Sequence, residues 1–444
     1  MRRRKRWAGL VATALLATAA WLVPATPAHA AGTLSISPGS TDFGEERVGT
    51  TFGEVRRFTV TATGEPVIIE DVLLGGDAQL DFFPVVIDEN DDGIPDATYC
   101  YDTDPADGID TDVTLAPGQR CVVDFIFVPT RFGARNAVLA VDSNAANDPT
   151  AGLTGEGTTG YYIAGTLGQV AAFGDALDFG DLSELDLNAP IVGIATTADG
   201  DGYWLTGRDG GIFAFGNADF AGSMGGVRLN QPIVGMAGLP DPFAEGYYQV
   251  AADGGIFAWG DAEFHGSTGN IRLNQPIVGM AVHPSNEGYW LVARDGGVFA
   301  FGEAGFHGST GNIRLNQPIV GMTPTPSGEG YWLVARDGGI FAFGDADFHG
   351  STGNIRLNSP ITGMASTPLG DGYWMVAQDG GIFAFDATFH GSLPSSGITG
   401  VNDVVGIAPT APPLDLGVLA AGGKARPVRP SADGFPAGVV TRSR

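Results

Sequence analysis

The residue types that could do chemistry in this chain recur at fixed intervals, and the intervals limit what that chemistry is. Apart from His29, the histidines are His283 and the four in Phe-His-Gly-Ser: His265, His307, His349 and His390. Four imidazoles would be enough donors for a metal ion. Copies at equivalent positions of a repeat point away from one another, however, and Ala221 holds the same place in another copy. Duplication of an ordinary position is therefore expected, and no shared metal. Ser267, Ser309 and Ser351 follow histidine by two residues, but neither a Gly-x-Ser-x-Gly elbow nor His-Glu-x-x-His occurs, so no nucleophile triad assembles. Asp209, Asp253, Asp295, Asp337 and Asp379 each precede glycine, where a turn explains them. Lysine occurs only at Lys5 and Lys424, which leaves no Schiff-base chemistry for the body of the chain. No catalytic residue is assigned, and the expectation is a protein that is not an enzyme.

Binding is better served than catalysis. Asn-Ile-Arg-Leu-Asn recurs, giving Arg272, Arg314 and Arg356 with Asn274, Asn316 and Asn358. If these loops share a face with the Asp-Gly turns, they form a ring of guanidinium, amide and carboxylate groups, with Trp290, Trp332 and Trp374 on adjoining strands. Such a ring suits carbohydrate or peptide recognition, several weak sites acting together. The competing expectation has the tryptophans filling interior space and the arginines bracing salt links.

A separate candidate is Asp88-Glu89-Asn90-Asp91-Asp92-Gly93-Ile94-Pro95-Asp96. Oxygen ligands at alternating positions, with glycine at the sixth, are how an EF-hand-like loop wraps calcium. Asp88, Asn90, Asp92, the Ile94 carbonyl and Asp96 would be the ligands. Tyr99 stands where the closing acid belongs, which excludes a full EF-hand. A shorter loop of the thrombospondin type-3 kind fits, with Asp102 or Asp104 completing it; an acidic solvated insertion is the alternative. No cofactor other than this calcium is expected.

The elements that must position these groups come from a repeat. Gly-Tyr-Trp or Gly-Tyr-Tyr is anchored at Tyr161, Tyr203, Tyr247, Tyr289, Tyr331 and Tyr373, with successive spacings of 42, 44, 42, 42 and 42. Such a period means a solenoid, propeller or array. In the best-preserved copy, Tyr331 to Arg336 and Ile340 to Phe343 are runs too short for helices, separated by Asp337-Gly338-Gly339, a hairpin signal. Further strands are expected around Phe348 to Ser351 and at Ile361 to Ser366, making four per copy, as in a propeller blade. The first copy lacks a preceding Ile-Val-Gly strand, and an unpartnered Val404-Val405-Gly406-Ile407-Ala408-Pro409 follows the last. Closure into a ring would let that C-terminal strand complete the blade begun at Tyr161. The expectation is a six-bladed β-propeller over 159–410. The motif resembles the GYWLVA-DGGIFAFG repeats of secreted actinobacterial proteins, which implies a fold and a surface location.

Residues 31–158 have another texture. Arg57-Phe58-Thr59-Val60-Thr61, Val122 to Phe127 and Ala137 to Val141 alternate as strands of a β-sandwich do. Phe43-Gly44, Val48-Gly49, Leu115 to Cys121, Phe127-Val128-Pro129-Thr130, Gly133-Ala134-Arg135 and Leu153 to Gly157 resemble the choice-of-anchor D domain, an immunoglobulin-like relative of the ASH and HYDIN-type domains. The resemblance implies an accessory module of bacterial surface proteins without catalytic residues. Cys100 and Cys121 are the only cysteines. Their positions match a pair often seen in that family, and an even pair in a secreted chain is expected to be a disulfide. In the chain-entropy model it would stabilise the module by about 3 kcal/mol.

The compartment is read from residues 1–30: Arg2-Arg3-Arg4-Lys5-Arg6, an apolar stretch from Trp7 to Val23, then Ala28-His29-Ala30, the pattern of a secretory signal peptide. Such a leader carries five of the 23 basic residues and none of the 50 acidic ones, so the mature charge would be near −32. That balance excludes nucleic-acid binding through a generally basic surface. No later stretch is long enough to span a bilayer, and 411–444, rich in Pro, Gly and Ala, is expected to be disordered. The whole is expected to be all-β: a secreted or surface-held monomer that binds a cell-wall glycan or a surface protein. A glycan hydrolase or lyase with carboxylates in the central channel or in the less regular first and second blades, and a plain structural spacer, are the alternatives.

Overall fold

The computed structural model describes residues 32–48, 54–76, 78–87, 98–100, 113–129, 132–241, 244–410 and 439–440. The expected leader, the calcium loop at 88–96 and nearly all of 411–444 lie outside them. The fold is all-β: a single 3-10 turn, Gln79–Asp81, is the only helical element among the described residues. No described helix is long and apolar enough to cross a membrane.

The first nine strands are β1 (Thr33–Ser37), β2 (Ser40–Arg47), β3 (Arg56–Thr63), β4 (Val67–Gly75), β5 (Phe82–Ile87), β6 (Val113–Leu115), β7 (Arg120–Phe127), β8 (Gly133–Ser143) and β9 (Thr150–Thr158). Alternation decides which side of each is buried: on β3, Phe58, Val60 and Ala62 face inward while their neighbours do not. Two five-stranded sheets result, ordered β1-β3-β7-β5-β28 and β2-β9-β8-β4-β6, where β28 is Val439–Val440. That short pairing is parallel to β5. The two sheets share one core containing Phe58, Ile69, Val123, Phe125, Leu139 and Leu153. Cys100 and Cys121 are bonded inside it, with Cα atoms 5.0 Å apart. Asp124, fully buried, accepts from Arg57 Nε and Nη2 at 2.8 and 2.7 Å and from the Tyr99 hydroxyl at 2.8 Å. Buried charge is tolerated only when its lone pairs are filled in this way.

The repeats form six three-stranded sheets. They are β12 (Ile191–Thr196) to β14 (Ile212–Gly216) with β13 (Gly202–Gly207) between; β15 (Ile233–Gly238), β16 (Gly246–Ala251) and β17 (Ile256–Gly260); and β18 (Ile277–Val282), β19 (Gly288–Ala293) and β20 (Val298–Gly302). Next come β21 (Ile319–Pro324), β22 (Gly330–Ala335) and β23 (Ile340–Gly344); then β24 (Ile361–Ser366), β25 (Tyr373–Ala377) and β26 (Ile382–Phe385). The remaining sheet joins β10 (Gly160–Gly165) and β11 (Val170–Gly174) to β27 (Val404–Pro409), so the extra C-terminal copy of the strand motif pairs with β10. First strands of successive sheets lie against one another from β12 through β15, β18, β21 and β24 to β27, and β27 also touches β12. Gly363 and Gly406 meet at one of these contacts, where a Cβ on Gly363 would lie at an ordinary van der Waals distance, 3.5 Å, from the Gly406 Cα.

Three strands per sheet, not four, is a correction. The Phe348–Ser351 segment is not a strand, because its backbone groups are satisfied from the next repeat. The Tyr373 hydroxyl accepts from His349 N–H at 3.2 Å and donates to the Gly350 carbonyl at 2.6 Å. Tyr289 and Tyr331 do the same for His265-Gly266 and His307-Gly308. Tyr161 does so for His390-Gly391, linking the first and last copies.

Candidate binding surface

Each hairpin forms as its sequence implies. Asp337 Oδ1 accepts from Gly339 N–H at 3.1 Å, and Gly338 takes φ of 76°. A Cβ there would strike Thr352 Oγ1 at 1.8 Å, so glycine is required by space as well as conformation. That threonine, buried, begins the loop carrying Arg356 and Asn358. Its N–H and hydroxyl bind the Gly338 and Asp337 carbonyls, and the same contacts recur at Thr268 and Thr310. The chain then returns beside the hairpin: Ile319 N–H donates to the Arg294 carbonyl at 3.0 Å, and Arg294 N–H to that of Pro276 at 2.9 Å. Hairpins and Asn-Ile-Arg-Leu-Asn loops therefore share one edge of the repeat region.

Arg272, Arg314 and Arg356 are exposed on that edge, as are Asn274, Asn316 and Asn358. None of the three guanidiniums makes an ion pair among the described residues, so the bracing role is not theirs. Grooves of about 240 and 260 Å³ lie between neighbouring repeats. One is walled by Gln231, Asp253, Asn274 and Gln275, the other by Gln275, Arg294, Asp295, Asn316 and Gln317. Asn274 and Asn316 thus stand in groove walls, while Arg272 and Arg314 do not. Sequence reasoning missed Arg294 and the Gln of each Asn-Gln-Pro, and also Arg228, the arginine of an earlier, less regular copy, Val-Arg-Leu-Asn. Their recurrence one motif away was the available signal.

The tryptophans do not belong to this surface. Trp290, Trp332 and Trp374 are buried between sheets, and their indole N–H groups donate at 2.6 to 2.7 Å to the carbonyls of Gly305, Asp347 and Thr388. The histidines are spread as the repeat demands. His265, His307, His349 and His390 pack edge-on against Tyr289, Tyr331, Tyr373 and Tyr161 at 5.4 to 5.6 Å, and no metal-holding cluster of His, Cys, Asp and Glu exists among the described residues. Burial lowers the pKa of His390, which also meets Thr159 Oγ1 at 2.9 Å. Burial raises those of the four tyrosines, against the backbone hydrogen bonds that act to lower them, so they remain protonated donors at neutral pH.

A cavity of about 160 Å³ lies where the first strands converge. Its wall includes Ile194, Met236, Met280, Met322, Met364 and Ile407, one from each sheet, and contains no carboxylate.

The opposite edge is acidic and already engaged. Arg47, at the end of β2, reaches Asp175 at 3.4 Å and Asp201 at 3.1 Å and donates to the Asp199 carbonyl. Asp175 also accepts from Thr158 and Thr410 hydroxyls at 2.9 and 2.8 Å. Burial acts to raise the pKa of Asp199, but hydrogen bonds from Thr197, the Asp201 N–H and Asn217, with the charge of Arg47, bring it below the ordinary value.

The chain matches no protein-family model and no curated protein. Among solved structures, a structural genomics protein of unknown function from Bacteroides thetaiotaomicron VPI-5482 is similar, with a TM-score of 0.44 and 12% identity over 87% of this chain and 94% of that one.

Proposed function

We propose that this is a secreted or surface-held, non-enzymatic binding protein whose six sheets are the blades of a closed propeller, preceded by an immunoglobulin-like, choice-of-anchor D module. Closure is supported by the pairing of β27 with β10 and by the succession of first strands that returns from β27 to β12. The observation that carries the binding reading is the groove repeated between neighbouring copies, amide-walled by Asn274 in one and Asn316 in the next, beside exposed Arg272 and Arg314. Amides and guanidiniums fixed on a rigid scaffold suit glycan hydroxyls or peptide carbonyls. A cell-wall glycan or surface protein is the partner, and the protein acts as a monomer without nucleic acid.

A screen of the full chain against wall glycans and intact wall fragments tests this. Binding should weaken when Arg272, Arg314 and Arg356, or Asn274, Asn316 and Asn358, are changed together to alanine. No binding, or binding indifferent to both sets, removes the reading and leaves a structural spacer. Calcium at 88–96 is a separate proposal: a chelator should lower the unfolding midpoint, and an unchanged midpoint removes the site.

A further inference from the structure

The basic residues of the repeat region are confined to one edge. Between 160 and 410 the chain has 25 acidic residues, seven arginines and no lysine. Arg228, Arg272, Arg314 and Arg356 stand in the loops of four consecutive copies, and Arg208, Arg294 and Arg336 at the hairpins beside them. All seven are exposed, and none makes an ion pair among the described residues. The hairpin aspartates give one oxygen each to a glycine N–H, as Asp295 does to Gly297 at 3.1 Å, which leaves those carboxylates pinned in their turns.

The series is interrupted at one place. At the copy built from both ends of the repeat region, Asp186 and Thr399 take the arginine's position, and Asp181, Glu184 and Asp403 lie near them. Leu182 N–H donates to the Gly168 carbonyl and Ile191 N–H to that of Thr166, so this loop sits on the same edge as the others. The edge is thus an arc of guanidiniums, interspersed with the hairpin carboxylates, with an acidic gap.

We propose that this arc binds a linear polysaccharide whose sugars carry carboxylates, a proposal that rests on the recognition face proposed above and names its ligand class. An exposed guanidinium holds a single anion weakly, because water screens it. A polymer presenting one anion after another to equivalent arginines gains from linkage, each contact raising the effective concentration of the next. Guanidinium and carboxylate match as two-pronged partners. The amides of Asn274, Gln275, Asn316 and Gln317 between the arginines supply donors and acceptors for sugar hydroxyls, which a glycerol-phosphate chain or a nucleic acid would use less fully. The acidic gap sets where the polymer must leave the surface.

The test uses the full chain, with polygalacturonate as probe and dextran, a glycerol-phosphate polymer and single-stranded DNA as comparators. Polygalacturonate should bind, its trimer at least tenfold more weakly, and the affinity should fall as sodium chloride is raised from low to physiological strength. Changing Arg228, Arg272, Arg314 and Arg356 together to glutamine should reduce affinity at least tenfold with an unchanged circular dichroism spectrum. Asp186→Arg, which extends the arc, should raise it. Unaltered binding in the quadruple variant overturns the proposal, as does tighter binding of the phosphate polymer or DNA. If dextran binds as well, in a manner lost with Asn274→Ala and Asn316→Ala but not with the arginine changes, the recognition face stands and the anionic class falls. If none of these polymers binds, the polysaccharide proposal falls, and the recognition face is decided by the screen against wall glycans and wall fragments.

Discussion

The two-sheet region before Gly160 and the six sheets after it reach stability by different routes. The first gathers its apolar side chains into one core, closes a disulfide inside it and buries Asp124 with three hydrogen bonds. The second has no cysteine and no such core. Its apolar contacts fall into smaller clusters, each spanning neighbouring sheets, and its joints are side chains bonding to backbone: tyrosine hydroxyls to the preceding copy's carbonyls, indoles to their own loops. A single core makes the first region one cooperative unit, whereas neighbour-to-neighbour contacts spread stability along the second. Surplus loop surface on the second can then carry binding groups without touching what holds it together.

The largest expected effect breaks the single core. Phe125→Ala should cost about 3–5 kcal/mol and lower the calorimetric transition of the two-sheet region, leaving that of the repeats in place. A common shift of both transitions would mean that the regions do not unfold separately. Arg47→Ala, which strips the charge held by Asp175 and Asp201, should cost about 1.5–3 kcal/mol and separate the two transitions further; no change in their separation would show the link to be idle. Tyr373→Phe removes a hydroxyl that serves both His349 and Gly350. It should cost about 1 kcal/mol and raise amide exchange around 349–350 more than in distant copies, so uniform exchange would contradict the local-joint picture.

The smallest effect is in acid. The Asp199 carboxyl lies below its ordinary 3.8 in the fold, so it contributes stability above that value and loses it as pH falls through the lower, folded one. Denaturation followed from pH 5 downward should show a smaller loss, levelling off at higher pH, in Arg47→Ala, because a contributor to the depression is gone. Identical acid limbs would remove Arg47 from that account.

Much of this contrast was legible in the residues. Period and hairpin chemistry gave the repeated sheets, because Asp-Gly-Gly can hardly be anything else between two apolar runs. The alternation around Phe58 and Phe125 gave the two-sheet region, and the cysteine pair needed only counting. The segment at Phe348–Ser351 read as a strand because its composition suits one. What it lacks is a neighbour with free backbone groups, and Tyr373 in the next copy, a partner outside the segment, decides that. Likewise Trp332 reads as a binding platform or, more often, as filler between sheets; its burial and its bond to the carbonyl of Asp347 decide for filler. Arg47 gave no signal, since its partners are more than a hundred residues away.

The pairing of β10 with β27 has a consequence in time. The Gly160 amide donates to the Thr410 hydroxyl across 250 residues of sequence, so of the six repeat sheets the one begun first during synthesis is the last to be completed. Bringing those ends together costs about 3 kcal/mol more loop-closure entropy than a ten-residue hairpin. Until Val404 to Pro409 emerges, one edge of β10 offers open backbone groups to any passing strand. A nascent chain that stalls before that point is therefore left without the strand that completes this sheet, and with an edge exposed to aggregation.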